Sequence, residues 1–319
     1  VYTDVKIIEG LSVRSDLGFD YTATLDRFFT PSYEFRSTFA NPYNGIGQGT
    51  FQGLQLQIEN YATYQRTFLD NHNVQVVTGI STRKHTGTYL GGFANGIPAD
   101  YEFNKNWWYL DGSPTAADST HTNYGGAIPE YRFNSFFGRV IYNFKEKYLV
   151  TASVRRDGSS RFGGNNKYGI FPAVSFGWVV SEESFFNVRQ IDFLKLRASW
   201  GRNGNDRIAD FAYLPVVAPG SNYAFGDSYY TGATEIRPAN PDLKWEEVDM
   251  VDIGFEAGFL NGDLNLEFSY YNKTTIDLLI AEPVPSVVGA NSDPITNVGS
   301  VRNSGIELDL RYTKVMGDL

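Results

Sequence analysis

The residues best suited to chemistry in this chain are charged groups crowded beside turns. Arg155, Arg156, Asp157 and Arg161 fall close together. Guanidinium forks beside a carboxylate can hold a ligand's acid group, or they can brace a turn among themselves. The brace is the better reading, because a charge network in a turn usually serves the fold. Glu246, Glu247, Asp249 and Asp252 could hold a hard cation, yet they lack the ordered spacing of a calcium loop. A strand with one face toward water explains the alternating members. His72, His85 and His121 are scattered, with no H-E-x-x-H and no cysteine partner. G-x-S-x-G is absent. Gly45-Ile-Gly47-Gln-Gly49 lacks the lysine of a phosphate loop and precedes a strand rather than a helix. Glu182-Glu183 reads as a solvated cap. No catalytic residue, metal site or cofactor is assigned.

Aromatic clusters are the stronger binding candidates. Trp107, Trp108 and Tyr109 lie beside Phe103, and Tyr223, Phe225, Tyr229 and Tyr230 form a second group. Aromatic faces stack on sugar rings, so both could be saccharide platforms. The competing reading is packing against neighbouring loops or a partner protein.

The elements that must hold these groups are strands. The chain has 24 Phe, 21 Tyr, 5 Trp and 32 Gly but no Cys. Mean hydropathy is −0.31, and no run approaches the roughly 20 apolar residues of a membrane helix. No long stretch shows helical periodicity. Alternation dominates instead: Tyr148, Val150, Ala152 and Val154 oppose Thr151, Ser153 and Arg155. Apolar residues on one face and polar ones on the other suit a transmembrane antiparallel β-barrel, with lipid outside and water inside. A large β-sandwich is the alternative for the same aromatics. The net charge of −9 argues against a nucleic-acid partner.

About ten long strands are expected, with boundaries near 10–23, 51–69, 74–87, 132–144, 148–155, 168–181, 193–202, 248–259, 264–277 and 301–313. Short turns fall near His72, Glu146, Asn187, Gly262 and Gly317. Asp157-Gly158 reads as a chain reversal, and Asn261-Gly262-Asp263 as a hairpin. Long loops are expected over 24–50, 88–131, 156–167, 203–246 and 278–298. The two kinds of connection alternate along the chain, so the long ones should be extracellular and the short ones periplasmic. The chain starts at Val1 without an initiator Met and ends at Leu319 in a turn-like stretch. It is therefore expected to be the central part of a barrel domain, residues 1–319, without plug or closing strands.

Several stretches resemble the SusC-like (SusC/RagA) TonB-dependent outer-membrane transporters of Bacteroidota. Arg155-Arg-Asp-Gly-Ser-Ser-Arg-Phe-Gly163 is similar to the family's R-x-D-G-S-S-R-F-G, continued by Tyr168-Gly-Ile-Phe-Pro-Ala-Val-Ser-Phe-Gly-Trp178. Phe193-Leu-Lys-Leu-Arg-Ala-Ser-Trp-Gly-Arg-Asn-Gly-Asn205, Asn240-Pro-Asp-Leu-Lys-Trp-Glu246 and Asp252-Ile-Gly-Phe-Glu256 match further signatures in family order. So do Tyr270 to Leu279 and Asn297-Val-Gly-Ser-Val-Arg-Asn-Ser-Gly-Ile-Glu-Leu308. Before Arg132 the likeness is looser.

The resemblance implies a barrel of about 22 strands, an internal plug, contact with TonB–ExbB–ExbD through that plug, and a SusD-like surface lipoprotein as lid. It implies location in the outer membrane of a Gram-negative bacterium, contact with outer-membrane lipid, and active import of a glycan or peptide. Two other classes remain: a surface adhesin or carbohydrate-binding module, and a secreted all-β glycoside hydrolase. Both would be soluble without detergent.

Overall fold

The computed structural model describes residues 1–36, 39–97, 110, 121–285, 287 and 292–314. Among these there is no α-helix. Strands follow one another as β1 (Tyr2–Ile8), β2 (Leu11–Thr30), β3 (Tyr33–Arg36), β4 (Phe39–Asn41), β5 (Gly45–Phe68) and β6 (His72–Asn95). Next come β7 (His121–Ala127), β8 (Tyr131–Phe144), β9 (Tyr148–Ser159), β10 (Tyr168–Val179) and β11 (Phe193–Asn205). The remainder are β12 (Val216–Phe225), β13 (Ser228–Arg237), β14 (Glu246–Phe259), β15 (Leu264–Ile276), β16 (Leu279–Ala281), β17 (Ile295–Asn297) and β18 (Ser300–Tyr312). A 12-stranded sheet has the order β1-β2-β5-β6-β8-β9-β10-β11-β14-β15-β18, with β7 on β6. The pairs β12-β13, β16-β17 and β3-β4 form separate ladders.

Two compact units divide the chain. The first comprises Val1–Asp16, Ile58–Thr82 and Phe133–Leu319. Its strands β8, β9, β10, β11, β14, β15 and β18 pair antiparallel in unbroken register, so each side chain's face is fixed by parity. Tyr142, Val150, Phe176, Ala198, Ile253, Tyr270 and Ile306 form one cross-strand row. Phe144, Tyr148, Trp178, Leu196, Phe255, Phe268 and Leu308 form the next. The opposite face carries Thr151, Ser175, Ser199, Asp252 and Tyr271 in one row, and Lys195, Glu256, Glu267 and Asp309 in another. There Lys195 meets Glu256 at 3.0 Å and Arg197 meets Glu267 at 2.6 Å. The apolar face is uncovered: Ile306 and Leu308 are each 68% exposed. A soluble sheet would cover such rows.

At the short-turn end the apolar face ends in aromatic rings. Phe144 and Tyr148 stack at 6.1 Å, Tyr148 and Trp178 at 6.4 Å. His72 lies 4.6 Å from the Phe144 ring, its Nδ1 2.8 Å from the Tyr142 hydroxyl. The expected solvated cap at Glu183 is instead an anchor. Its carboxylate accepts from the Tyr148 hydroxyl at 2.6 Å and from Trp178 Nε1 at 3.2 Å. Those bonds, with the nearby Lys147 ammonium, hold Glu183 below the usual carboxylate range.

The second unit is Leu17–Gln57 with Arg83–Arg132. Its core is Ile46, Ala94 and Ile97, with Phe29 and Leu110 against it. The Gly45–Gly49 stretch is part of β5, not a loop before it. Its glycines make room for rings: a Cβ on Gly47 would lie 2.1 Å from Phe28, and one on Gly45 2.3 Å from Phe93. Asn44 ties the unit's turns together, accepting at its side chain from Ser32 N at 2.6 Å and donating to the Ile97 carbonyl at 3.2 Å.

Where the sequence predicts open loops over 24–50 and 88–131, strand continues through much of both. β2 runs to Thr30, β5 begins at Gly45, β6 runs to Asn95, and β7 adds a rung. In β5 and β6 the glycines at 45, 47, 49, 91 and 92 interrupt the alternation, and in β2 the adjacent Phe28 and Phe29 do. β1 is an addition to the expected strands, and every one of its residues is exposed. The Asp157-Gly158 reversal is corrected as well. Asp157 pairs with Ser135 and Gly158 with Tyr168, so β9 runs on to Ser159. Pairing on both sides overrides the local turn preference.

Candidate functional site

Long connections after β9, β11, β13 and β15 meet in a buried hub. Phe171 comes from β10, while Phe162 follows β9 and Trp245 immediately precedes β14. Phe162 and Leu243 are 0% exposed, Ala212 1% and Trp245 5%. Trp245 lies 5.0 Å from Phe162, 5.3 Å from Phe171 and 6.1 Å from Phe133 by ring centroids. Phe133 and Phe171 belong to the otherwise polar face, in the parity of Ser135, Ala173 and Ser175. The hub therefore gathers on the side opposite the apolar rows. Gly204 matters here for space rather than for backbone freedom. A Cβ there would stand 2.1 Å from the Phe171 ring.

Polar groups lock the hub's rim. Ser159 Oγ donates to Asp206 at 2.7 Å, and Arg161 Nε donates to Asp210 at 3.0 Å. Glu246 accepts from Asn205 at 3.0 Å and from the Leu279 amide at 3.1 Å. Asn297 donates to the Lys244 carbonyl at 2.8 Å and the Asp277 carbonyl at 3.0 Å, and accepts the Lys244 amide at 2.9 Å. Asn240 donates to the Ile295 carbonyl at 2.9 Å, and Trp245 Nε1 to that of Lys167 at 3.4 Å.

The acidic run is divided among partners. Arg202 forks onto Asp249 at 2.7 and 2.8 Å and reaches Glu247 at 2.8 Å. Asp252, on the other face, lies 4.0 Å from Arg197. The rim charges do not form one network. Arg155 points to the polar face, donating to Ser135 at 2.9 Å and lying 3.3 Å from Asp157. Arg156 points to the apolar face, stacked 3.9 Å over Tyr168. Arg161 joins the hub.

The family model described as TonB dependent receptor-like, β-barrel, matches residues 5–317. The chain belongs to the TonB-dependent receptor β-barrel family. It is 35% identical over 315 residues to TonB-dependent receptor P39 of Formosa agariphila, covering 97% of this chain and 28% of that protein. TonB-dependent receptor SusC of Bacteroides thetaiotaomicron is 39% identical over 187 residues, 57% of this chain and 18% of SusC. Among solved structures, the RagAB peptide transporter superposes with a TM-score of 0.82 at 26% identity, over 98% of this chain and 33% of that one. The chain thus spans about a third or less of these relatives. Two of them are named TonB-dependent receptors, one of these SusC, and the third is a peptide transporter. Receptors of this family are outer-membrane β-barrels.

Within this receptor barrel the hub explains the motifs. The stretches 157–163, 203–205, 240–246 and 297–299 each supply hub residues or rim bonds. Sequence reading missed Phe162, Phe171, Leu243 and Trp245 as a group, although the motif order names every one of them. The second aromatic cluster sits on the β12-β13 hairpin. Tyr223 and Tyr230 pair across it with rings 5.7 Å apart. Phe225 and Tyr229, at the tip, are 75% and 87% exposed. Tyr229 faces away from the other three, by parity. Trp107, Trp108 and Tyr109 lie outside the described residues.

Proposed function

We propose that the intact protein imports a bulky oligosaccharide or peptide across the outer membrane, driven through TonB–ExbB–ExbD and served by a SusD-like surface lipoprotein. In this reading residues 1–319 are the central part of the barrel domain. The observation that carries it is the match along almost the whole chain to TonB-dependent receptor P39 and the RagAB peptide transporter, and over 57% of it to SusC. The long connections are then extracellular and the short turns periplasmic. The polar face, with Lys195, Arg197, Glu256 and Glu267, lines the lumen.

The hub serves as a rigid base for the exposed loops, and the β12-β13 hairpin is the contact element. Its base is held by Arg237, which donates to the Phe211 carbonyl at 3.3 Å, and by Ser292 N to the Ile236 carbonyl at 2.8 Å. Rigid aromatic groups give large contact area at low entropic cost. Tyr223, Phe225, Tyr229 and Tyr230, with Trp107, Trp108 and Tyr109, contact lid or substrate. Replacing the four hairpin aromatics by alanine in the full-length protein tests this. Lid co-purification and growth on the cognate nutrient should fall while surface abundance holds. Wild-type behaviour in both assays would reduce the cluster to loop packing.

A further inference from the structure

Arg156 is a cation on the apolar face with no anion beside it among the described residues. Arg156 lies there because β9 keeps its register from Val150 through Gly158. Its cross-strand partners are Phe136 and Ile170, 53% and 58% exposed. The acid beside it in sequence, Asp157, belongs to the opposite face and takes Arg155. Among the described residues Arg156 has no hydrogen bond or ion pair, only the Tyr168 ring beneath it at 3.9 Å.

Its level on the face is informative. On β11, β14, β15 and β18 the apolar rows give way to Arg202, Asp249, Thr274 and Arg302, which share one cross-strand row. The row of Val154 and Pro172 continues into it. Arg156 stands one step beyond, roughly 7 Å further toward the long loops. That is the level of lipid headgroups rather than hydrocarbon. Arg202 is already neutralised by Asp249 and Glu247, whereas Arg156 is not.

We propose that Arg156, stacked on Tyr168, clamps the phosphate of a membrane lipid at the long-loop edge of the apolar belt. A guanidinium lying flat on a ring keeps its in-plane N–H donors free. Those donors match a phosphate's oxygens in a two-point fork. Phe136 and Ile170 receive the apolar part of the same molecule. A soluble anion would gain the fork but not the flanks. The proposal rests on the membrane placement of the belt.

The test uses the full-length transporter in detergent, titrated with phosphatidic acid, phosphatidylcholine or inorganic phosphate and read by native mass spectrometry. Wild type should retain phosphatidic acid, and Arg156→Gln should weaken that retention roughly tenfold. Arg139→Gln removes the same charge from the opposite face and should change nothing. Equal retention in Arg156→Gln and wild type, or equal loss in Arg139→Gln, overturns the clamp. So does displacement of the lipid by inorganic phosphate, which would mark a soluble-anion site. Labelling of Val150→Cys and Thr151→Cys in cells separates the two layers of the inference. Faster aqueous labelling at Val150→Cys overturns the belt itself, whereas protection there with unchanged lipid retention overturns the clamp alone.

Discussion

The apolar belt and the loop hub use the same kinds of residue in opposite ways. In the belt, Ile253, Ile306, Leu308 and Leu310 stand uncovered on one face of the sheet. In the hub, Phe162, Phe171, Leu243 and Trp245 are all but sealed. Belt residues contribute through the solvent they meet, so each acts nearly alone and a neighbour's identity matters little. Hub residues contribute through one another, and their effects should be strongly coupled. The belt can therefore drift in sequence while keeping its alternation. The hub cannot, because Gly204 leaves a space that only the Phe171 ring fills.

The hub should give the largest effect. Trp245→Ala removes a ring in contact with three others and one of two donors to the Lys167 carbonyl, which keeps the Ser159 amide. A loss of about 3–5 kcal/mol is expected for a buried aromatic truncation. In the full-length transporter the long loops should become protease-sensitive while heat-modifiable migration survives. Loss of that migration would show that the hub is needed for barrel assembly and not only for the loops.

Next comes the belt. Ile253→Arg places a charge toward hydrocarbon, at a cost of about 2–4 kcal/mol near mid-membrane. Asp252→Arg, one residue away, faces the other side and should assemble at nearly wild-type yield apart from repulsion with Arg197. Outer-membrane yields of the two variants measure the difference. Equal yields would refute the assignment of faces. A smaller step follows at the rim of the hub. Asn297→Ala removes three hydrogen bonds joining Lys244 and Asp277, and a loss of about 1–3 kcal/mol is expected. Faster hydrogen exchange should be confined to the segments around 244 and 277.

Legibility in the sequence followed the same division. Alternation located every long strand from β8 onward, because lipid on one side and water on the other write a period of two. It does not mark the far ends of β2, β5 and β6 or the β12-β13 ladder, where glycines, adjacent aromatics and polar residues break the period. It leaves out β1, although Val5 and Ile7 alternate there with Asp4 and Lys6. It also could not foresee that Arg155 and Arg156 part company. That separation follows only once β9 is known to continue past Asp157. The motif stretches were visible as strings, yet their convergence on Trp245 needed three dimensions. The contact between Glu183 and Tyr148 spans a turn that no local rule connects.

The smallest expected effect is at that turn. Glu183 is anchored by Tyr148, Trp178 and Lys147, and its carboxyl titrates below the ordinary carboxylate range. A depressed folded-state value means that ionised Glu183 favours the folded turn above the unfolded value. The contribution fades as pH falls through the folded one. Amides across residues 180–192 in the full-length transporter should therefore show high protection factors at neutral pH, exchange being taken relative to the intrinsic rate at each pH. These should fall as acid protonates Glu183. Glu183→Gln keeps the shape but carries no charge, so its protection should be lower at neutral pH and flatter with acid. The rest of the belt should not respond, since its outward rows hold no titrating carboxylate between Tyr148 and Leu196. A variant that keeps the wild-type acid response would move the titrating group elsewhere. The apolar belt would then have an end that its aromatic rings hold without help from the carboxylate.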